Sequence, residues 1–396
     1  MDRSATVTEF VSSCAPDRPV FCYRPHQLRA AAHWFLNAFP GEVFYAVKAN
    51  PAPHILQGLW DAGLQSFDVA SSAEVEVTRG QFPDANLAFM HPVKNRNAIA
   101  SAYHLHGVRH FVLDSFAELD KILDATGHAR DLTLVVRIGV SNAGATVPLT
   151  GKFGANEDVA PALLRATRRV SDRLGVSFHV GSQAMNPGAW PTAMADVSRL
   201  IADAAVTVDV VDVGGGFPAT YGAPPILDYY SGLIGRAFED MMVLESAELW
   251  SEPGRALVAE SESLLVRIEG TKDDALYLND GGFGALYDAV NLGWSFPVRG
   301  ISSCGVVGAN AIAYTLYGPT CDSADRFPNS IFLPAGLREG DYLEFGNIGA
   351  YGRSMASRFN GYGTYGLVEV ADQPFASAYG TASFLNHARA RTSLNP

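Results

Sequence analysis

A chain of 396 residues, 48% of them apolar and 18% charged, is long enough for two packed domains and too ordinary in composition to be disordered or fibrous. Its formal net charge of −12 argues against a nucleic-acid partner, which needs a basic surface, and fits a soluble protein that steers small cations. The four cysteines, Cys14, Cys22, Cys304 and Cys321, are spaced neither as a disulfide framework nor as a metal site. The opening run Met-Asp-Arg-Ser-Ala-Thr-Val-Thr-Glu-Phe lacks the apolar core of a secretory signal, and no stretch reaches membrane-spanning length. A cytoplasmic location, without membrane or metal, is the expectation.

In chain order, apolar runs predict strands at 43–48, 66–69, 87–90, 110–114, 133–138, 176–180, 208–213 and 247–250. Their near-continuous apolar character suits strands buried on both faces. Amphipathic segments such as 53–63 and 159–175 lie between them and suit crossover helices. Eight such alternations predict an α/β fold, a (β/α)8 TIM-type barrel, with an open doubly wound sheet as the competing arrangement. Beyond 258 the pattern changes. Short runs at 263–270, 275–280 and 341–345, bounded by Gly, Pro or Asp, predict a mostly antiparallel C-terminal β-domain. The barrel is assigned to 24–258 and the β-domain to 259–396, with residues 1–23 packing beside the latter.

Barrel chemistry sits at the C-terminal ends of strands, and six of the eight predicted ends carry polar or glycine-rich features. These are Lys48, Asp68, Arg137, His179, Gly214-Gly215-Gly216 and Glu252-Pro253-Gly254-Arg255. Glycines after strand seven let backbone N–H groups approach a phosphate; taken alone, a triplet also serves as a left-handed turn. A lysine ending an apolar strand either snorkels to water or forms a Schiff base with an aldehyde cofactor. Glu252 suits a pyridine nitrogen that must stay protonated, or else a salt bridge to Arg255. His179 either stacks on a flat ring or is a satisfied core histidine.

Read together, these motifs resemble the fold-type III pyridoxal-phosphate decarboxylases of the ornithine/lysine/diaminopimelate/arginine group. The matching segments are Tyr-Ala-Val-Lys-Ala-Asn (45–50), Phe-Asp-Val-Ala-Ser (67–71) with Glu74, Phe-His-Val-Gly-Ser-Gln (178–183), Asp-Val-Gly-Gly-Gly-Phe-Pro (212–218) and Glu-Pro-Gly-Arg (252–255). Gly-Pro-Thr-Cys-Asp-Ser-Ala-Asp (318–325) and Gly-Ala-Tyr (349–351) extend the likeness into the C-terminal region. The resemblance implies that pyridoxal 5′-phosphate is held covalently by Lys48, with Glu252 on its ring nitrogen and His179 against its ring. It assigns Ser182, Gly214, Gly215, Gly216, Gly254, Arg255 and Tyr351 to the phosphate side, and Asp68, Glu74 and Arg137 to supporting positions. Cys321 matches the thiol that protonates Cα once carbon dioxide has left. The family's head-to-tail homodimer would bring Cys321 and Asp322 to the partner's barrel.

Cys321-Asp322 is similar to ornithine decarboxylases, whereas diaminopimelate enzymes usually carry Cys-Glu-Ser there. Asp322 and Asp288 are expected to hold a distal ammonium, which implies L-ornithine and L-lysine as substrates. Phe283 departs from the tyrosine usual in ornithine decarboxylases, leaving the preferred chain length open. A decarboxylase of related amino acids (diaminopimelate, arginine-like), an amino-acid racemase and an inactive regulatory homologue are the alternatives.

Overall fold

The computed structural model describes residues 2–149, 151–302 and 310–379, which divide into two compact units. Among the described residues, one comprises Ala32–Pro218 with Pro225–Leu257; the other combines the chain up to Ala31, Ala219–Pro224 and residues 258–379. Cys304 and residues 380–396 of the assigned β-domain lie outside the described residues.

The first unit is a closed barrel of eight parallel strands, not an open sheet. In order these are Glu42–Ala46, Ser66–Val69, Asn86–Phe89, His110–Leu113, Thr133–Arg137, Arg173–Ser177, Val210–Asp212 and Glu248–Ser251. The eighth strand closes on the first, with Trp250 opposite Glu42 and Ser251 opposite Val43. Several crossover helices start on a side-chain cap. Ser71, Asn95 and Ser115 accept the N–H groups of Glu74, Ala98 and Glu118, satisfying donors the helix cannot.

Inside the barrel, Phe44, Ala88, Val112, Val135, Val210 and Trp250 form one buried cluster, each large side chain contributing about 1.5–3 kcal/mol. Gly175 leaves room for it, because a Cβ there would lie 2.9 Å from Val135 Cγ2. His110 packs edge-on against Trp250 at 5.1 Å, and burial pushes its pKa down to about 4, so it is a neutral core histidine.

Several boundaries differ from the sequence pattern. The helix expected over 159–175 is Ala160–Val170, and strand six is Arg173–Ser177 rather than 176–180. Phe178 and Val180 are each 1% exposed although they lie in the loop past the strand, so apolar character there outruns the pairing. Strand one likewise stops at Ala46, and Lys48 sits in the 3-10 turn Val47–Ala49.

Among the described residues, the second unit holds a nine-stranded sheet centred on Glu262–Lys272. That strand pairs antiparallel with Val20–Tyr23, Ala275–Leu278 and Tyr342–Phe345. Strands Asp2–Ser4 and Val20–Tyr23 both pair parallel with Gly366–Val370, which places the N-terminal segment in this sheet. Phe21, Leu264, Val266, Leu316 and Leu343 are fully buried in its core.

Candidate active site

The turn carrying Lys48 is tied to the loop after strand eight by a hydrogen bond from the Ala46 N–H to the Pro253 carbonyl at 3.2 Å. Gly254 permits this approach, since a Cβ there would sit 3.0 Å from Ala49 Cβ. Lys48 Nζ donates to Asp68 Oδ2 at 2.6 Å; the lysine side chain is 43% exposed and the aspartate 0%. The amine is therefore held by a buried anchor and still reachable. Asp68 Oδ1 has no hydrogen-bond partner among the described residues, a loss of about 1–3 kcal/mol that a bound group would recover. Glu74 does two local jobs: its N–H is capped by Ser71, and its Oε2 accepts the Ala70 N–H at 2.7 Å. Burial raises its pKa and the nearby Asp68 charge adds to the rise, while Lys48 opposes it.

Arg137 ends strand five and His179 follows strand six by two residues. Both line a cavity of about 870 Å³, together with Asp114, Asn142, Lys152 and Phe153. The His179 imidazole is fixed as a neutral ring. Burial first, then Arg137 and Lys48, push its pKa down to about 3. The Gly181 N–H donates to Nδ1 at 3.0 Å, which puts the ring proton on Nε2. Ser182 begins the short strand Ser182–Ala184, paired to Ala145–Val147 beside this cavity's loop.

The glycine triplet is demanded by its own packing before any ligand is considered. A Cβ on Gly214 would lie 2.2 Å from the Phe178 carbonyl, and one on Gly216 2.4 Å from the Gly181 carbonyl. Gly214 and Gly216 also have φ of +66° and +97°. Gly215 is squeezed as well: a Cβ there would meet the Glu252 carbonyl oxygen at 2.7 Å and His179 Nε2 at 3.0 Å. Glu252 is half-buried with its Oε1 shut off from solvent, and its pKa is driven well above the usual carboxylate range by burial and by the Asp212 and Asp68 charges. Among the described residues its Oε1 has no hydrogen-bond partner, nor does Ser251 Oγ beside it. Arg255, 7% exposed, opens the short helix Arg255–Val258.

The remaining predicted residues belong to the β-domain unit. Tyr351 has a left-handed φ of +62° and precedes the helix Gly352–Met355. The Phe283 ring lies 4.8 Å from that of Phe359. Cys321 is exposed, with Sγ 3.4 Å from Asn360 Oδ1, and Asp322 beside it accepts the Ala324 N–H at 2.9 Å. Asp322 lines a cleft of about 470 Å³ shared with Asp17, Glu269, Tyr277 and Tyr317. Asp288 is buried at 8% exposure and is not part of that cleft's wall.

The barrel residues fit pyridoxal 5′-phosphate. A reachable amine, a buried carboxyl with one bare oxygen and a glycine loop that tolerates no Cβ meet at one end of the barrel. The family model described as "Pyridoxal-dependent decarboxylase, pyridoxal binding domain" matches residues 26–259. The chain belongs to this family. Lysine/ornithine decarboxylase of Selenomonas ruminantium is 32% identical over 352 residues, 84% of each chain. Antizyme inhibitor 2 of Xenopus laevis is 31% identical, covering 83% of this chain and 75% of its own. The crystal structure of the Paramecium bursaria Chlorella virus arginine decarboxylase superposes with a TM-score of 0.83 at 26% identity, over 92% of this chain and 99% of that one.

Three groups in this pyridoxal-dependent decarboxylase were not singled out by sequence reasoning. Lys94 is buried with its ammonium 3.0 Å from Glu118 Oε1 and 2.6 Å from the Val112 carbonyl; burial lowers its pKa to about 8. Asn360 meets Cys321 from 39 positions away. Asp212, inside a quoted motif, accepts the Gly214 N–H at 2.8 Å and is hydrogen-bonded to Glu252. The only signal for Asp212 was an aspartate ending a strand ahead of glycines.

Proposed function

We propose that this chain decarboxylates L-ornithine, L-lysine or both, giving putrescine or cadaverine and carbon dioxide. The observation that carries the substrate reading is the exposed pair Cys321-Asp322, with Asp322 on the wall of a cleft that also carries Asp17 and Glu269. A distal ammonium suits such a wall of exposed carboxylates, and a substrate lacking it would bring them no opposite charge. The lysine/ornithine decarboxylase relative supports the same substrates.

Bound pyridoxal phosphate supplies the electron sink for the bond pair left when carbon dioxide departs. The chain's own residues do the rest. Lys48, freed from Asp68, would be the amine that anchors the cofactor; Glu252 would keep its ring nitrogen protonated, and the neutral His179 ring would offer it a flat face. Ser182, the 214–216 loop, Arg255 and Tyr351 would hold the phosphate. Cys321 gives its proton to Cα, and Asp322 orients the side-chain amine. In this reading the protein is a cytoplasmic homodimer in which Cys321 and Asp322 serve the partner's barrel.

The arginine decarboxylase neighbour makes arginine the second substrate to examine, and the antizyme inhibitor relative supports an inactive regulatory reading. Retention of Lys48, Asp68, His179 and Glu252 favours the enzyme. Purified protein loaded with pyridoxal phosphate should release carbon dioxide and a diamine from ornithine or lysine in a panel with arginine and diaminopimelate. Agmatine as the main product would replace the substrate. Cofactor binding with no carbon dioxide from any member would leave the regulatory reading standing.

A further inference from the structure

Asp212 ends strand seven and Glu252 follows strand eight, its hydrogen-bonded parallel neighbour. Between them lies Gly214, held from both sides: its N–H donates to Asp212 Oδ1 at 2.8 Å, and its carbonyl accepts the Glu252 N–H at 2.9 Å. The two carboxyl groups are hydrogen-bonded to each other; Asp212 is 1% exposed and Glu252 half-buried. Ionised carboxylates only accept hydrogen bonds, so this contact requires one shared proton. Glu252 Oε1 stays without a partner among the described residues, so the other carboxyl oxygen of Glu252 is the one that faces Asp212.

We propose that Asp212 is a positioning residue that takes the proton from Glu252 when the cofactor's protonated ring nitrogen docks against Glu252. The O–H bond on Glu252 breaks, the proton passes to the Asp212 carboxylate, and the pair carries one negative charge before and after. Glu252 then meets the ring N–H⁺ as a carboxylate, steadied by the hydrogen bond that Asp212 now donates.

The surroundings support this order. Before docking Glu252 is the better holder of the proton: burial and the Asp212 and Asp68 charges raise its pKa well above the carboxylate range, whereas the effect of burial on Asp212 is opposed by its hydrogen bonds to Glu252 and the Gly214 N–H. Arg137 acts on Asp212 and Lys48 on Glu252, each favouring the charged form. A pyridinium beside Glu252 adds the nearest positive charge to that residue alone and reverses the preference.

Asp212→Asn keeps the acceptor for the Gly214 N–H and donates permanently to Glu252, mimicking the loaded state. Asp212→Leu keeps neither. Infrared difference spectra would be taken on addition of pyridoxal 5′-phosphate alone, with carbon-13 carboxyl label in glutamate or aspartate. Loading should remove a protonated-carboxyl band that moves with labelled glutamate and create one that moves with labelled aspartate; Asp212→Asn should show neither change. Cofactor Kd should be near wild type in Asp212→Asn and weaker by roughly tenfold or more in Asp212→Leu. An aspartate band that fails to appear in wild type, or an Asn variant as impaired as the Leu variant, overturns the assignment. No amino-acid substrate enters these measurements, so the result is independent of the substrate reading.

Discussion

Lys48 and Asp68 differ sharply in exposure, 43% against 0%, and that asymmetry decides what their separate removal does. Lys48→Ala removes the reachable amine and strands a buried carboxylate. The variant should release no carbon dioxide and show no covalent cofactor mass after borohydride reduction. It should also lose about 1–3 kcal/mol of stability, recovered in Lys48→Ala/Asp68→Asn, as read by denaturant unfolding. A retained covalent adduct in the single variant would move the anchor elsewhere. Cys321 is the opposite case. Its thiol is exposed and meets the Asn360 side chain rather than a packed core, so Cys321→Ala should leave stability and cofactor binding unchanged. Turnover should fall roughly 10²-fold or more if the thiol delivers a proton. At this scale Lys48 and His179 were legible because their chemistry is unusual at a strand end. Asp212 was not. Its meaning depends on Glu252, which follows a neighbouring strand 40 positions later, and sequence spacing does not display parallel-strand adjacency.

The eight barrel strands were visible as apolar runs because each is buried on both faces. Their ends were less so, since Phe178 and Val180 are as buried in the loop as the strand before them. The terminal strand Asp2–Ser4 left almost no trace: it is three residues long, largely exposed, and defined only by pairing with Gly366–Val370. Turns make firmer predictions. Gly216→Ala combines a φ of +97° with a Cβ 2.4 Å from the Gly181 carbonyl. It should destabilise by about 1–3 kcal/mol and weaken cofactor binding together, measured by unfolding and by titration with pyridoxal phosphate. In the Asn279-Asp280-Gly281 turn, burial raises Asp280 from its ordinary 3.8 to about 7, despite hydrogen bonds from the Tyr365 hydroxyl and the Ala285 N–H. Between those two values the folded protein holds a proton that the unfolded chain has lost. Its stabilising contribution is therefore complete below about pH 4 and disappears as pH rises through 7. Asp280→Asn should flatten that part of the stability profile relative to wild type. Parallel profiles would mean that Asp280 ionises normally.

On the scale of the whole molecule, the candidate residues fall into two sets carried by different compact units: Lys48, His179 and Glu252 in the barrel, Cys321 and Asp322 in the β-domain. That division gives the proposed homodimer a sharp test, because a shared site predicts that two dead chains repair one another. Lys48→Ala lacks an anchor but keeps a sound β-domain; Cys321→Ala lacks the thiol but keeps a sound barrel. If each site draws its thiol from the other subunit, a mixed dimer contains one site with both defects and one with neither. Random exchange makes about half the dimers mixed, so an equal mixture should recover about a quarter of wild-type activity. If instead Cys321 serves the barrel of its own chain, every site in the mixture carries one defect, and activity stays at the level of the single variants. Native mass spectrometry of the mixture, with one variant isotopically labelled, separates this outcome from a failure to exchange subunits. Carbon dioxide release from the mixture therefore reads which chain completes the site, without requiring a structure of the assembly.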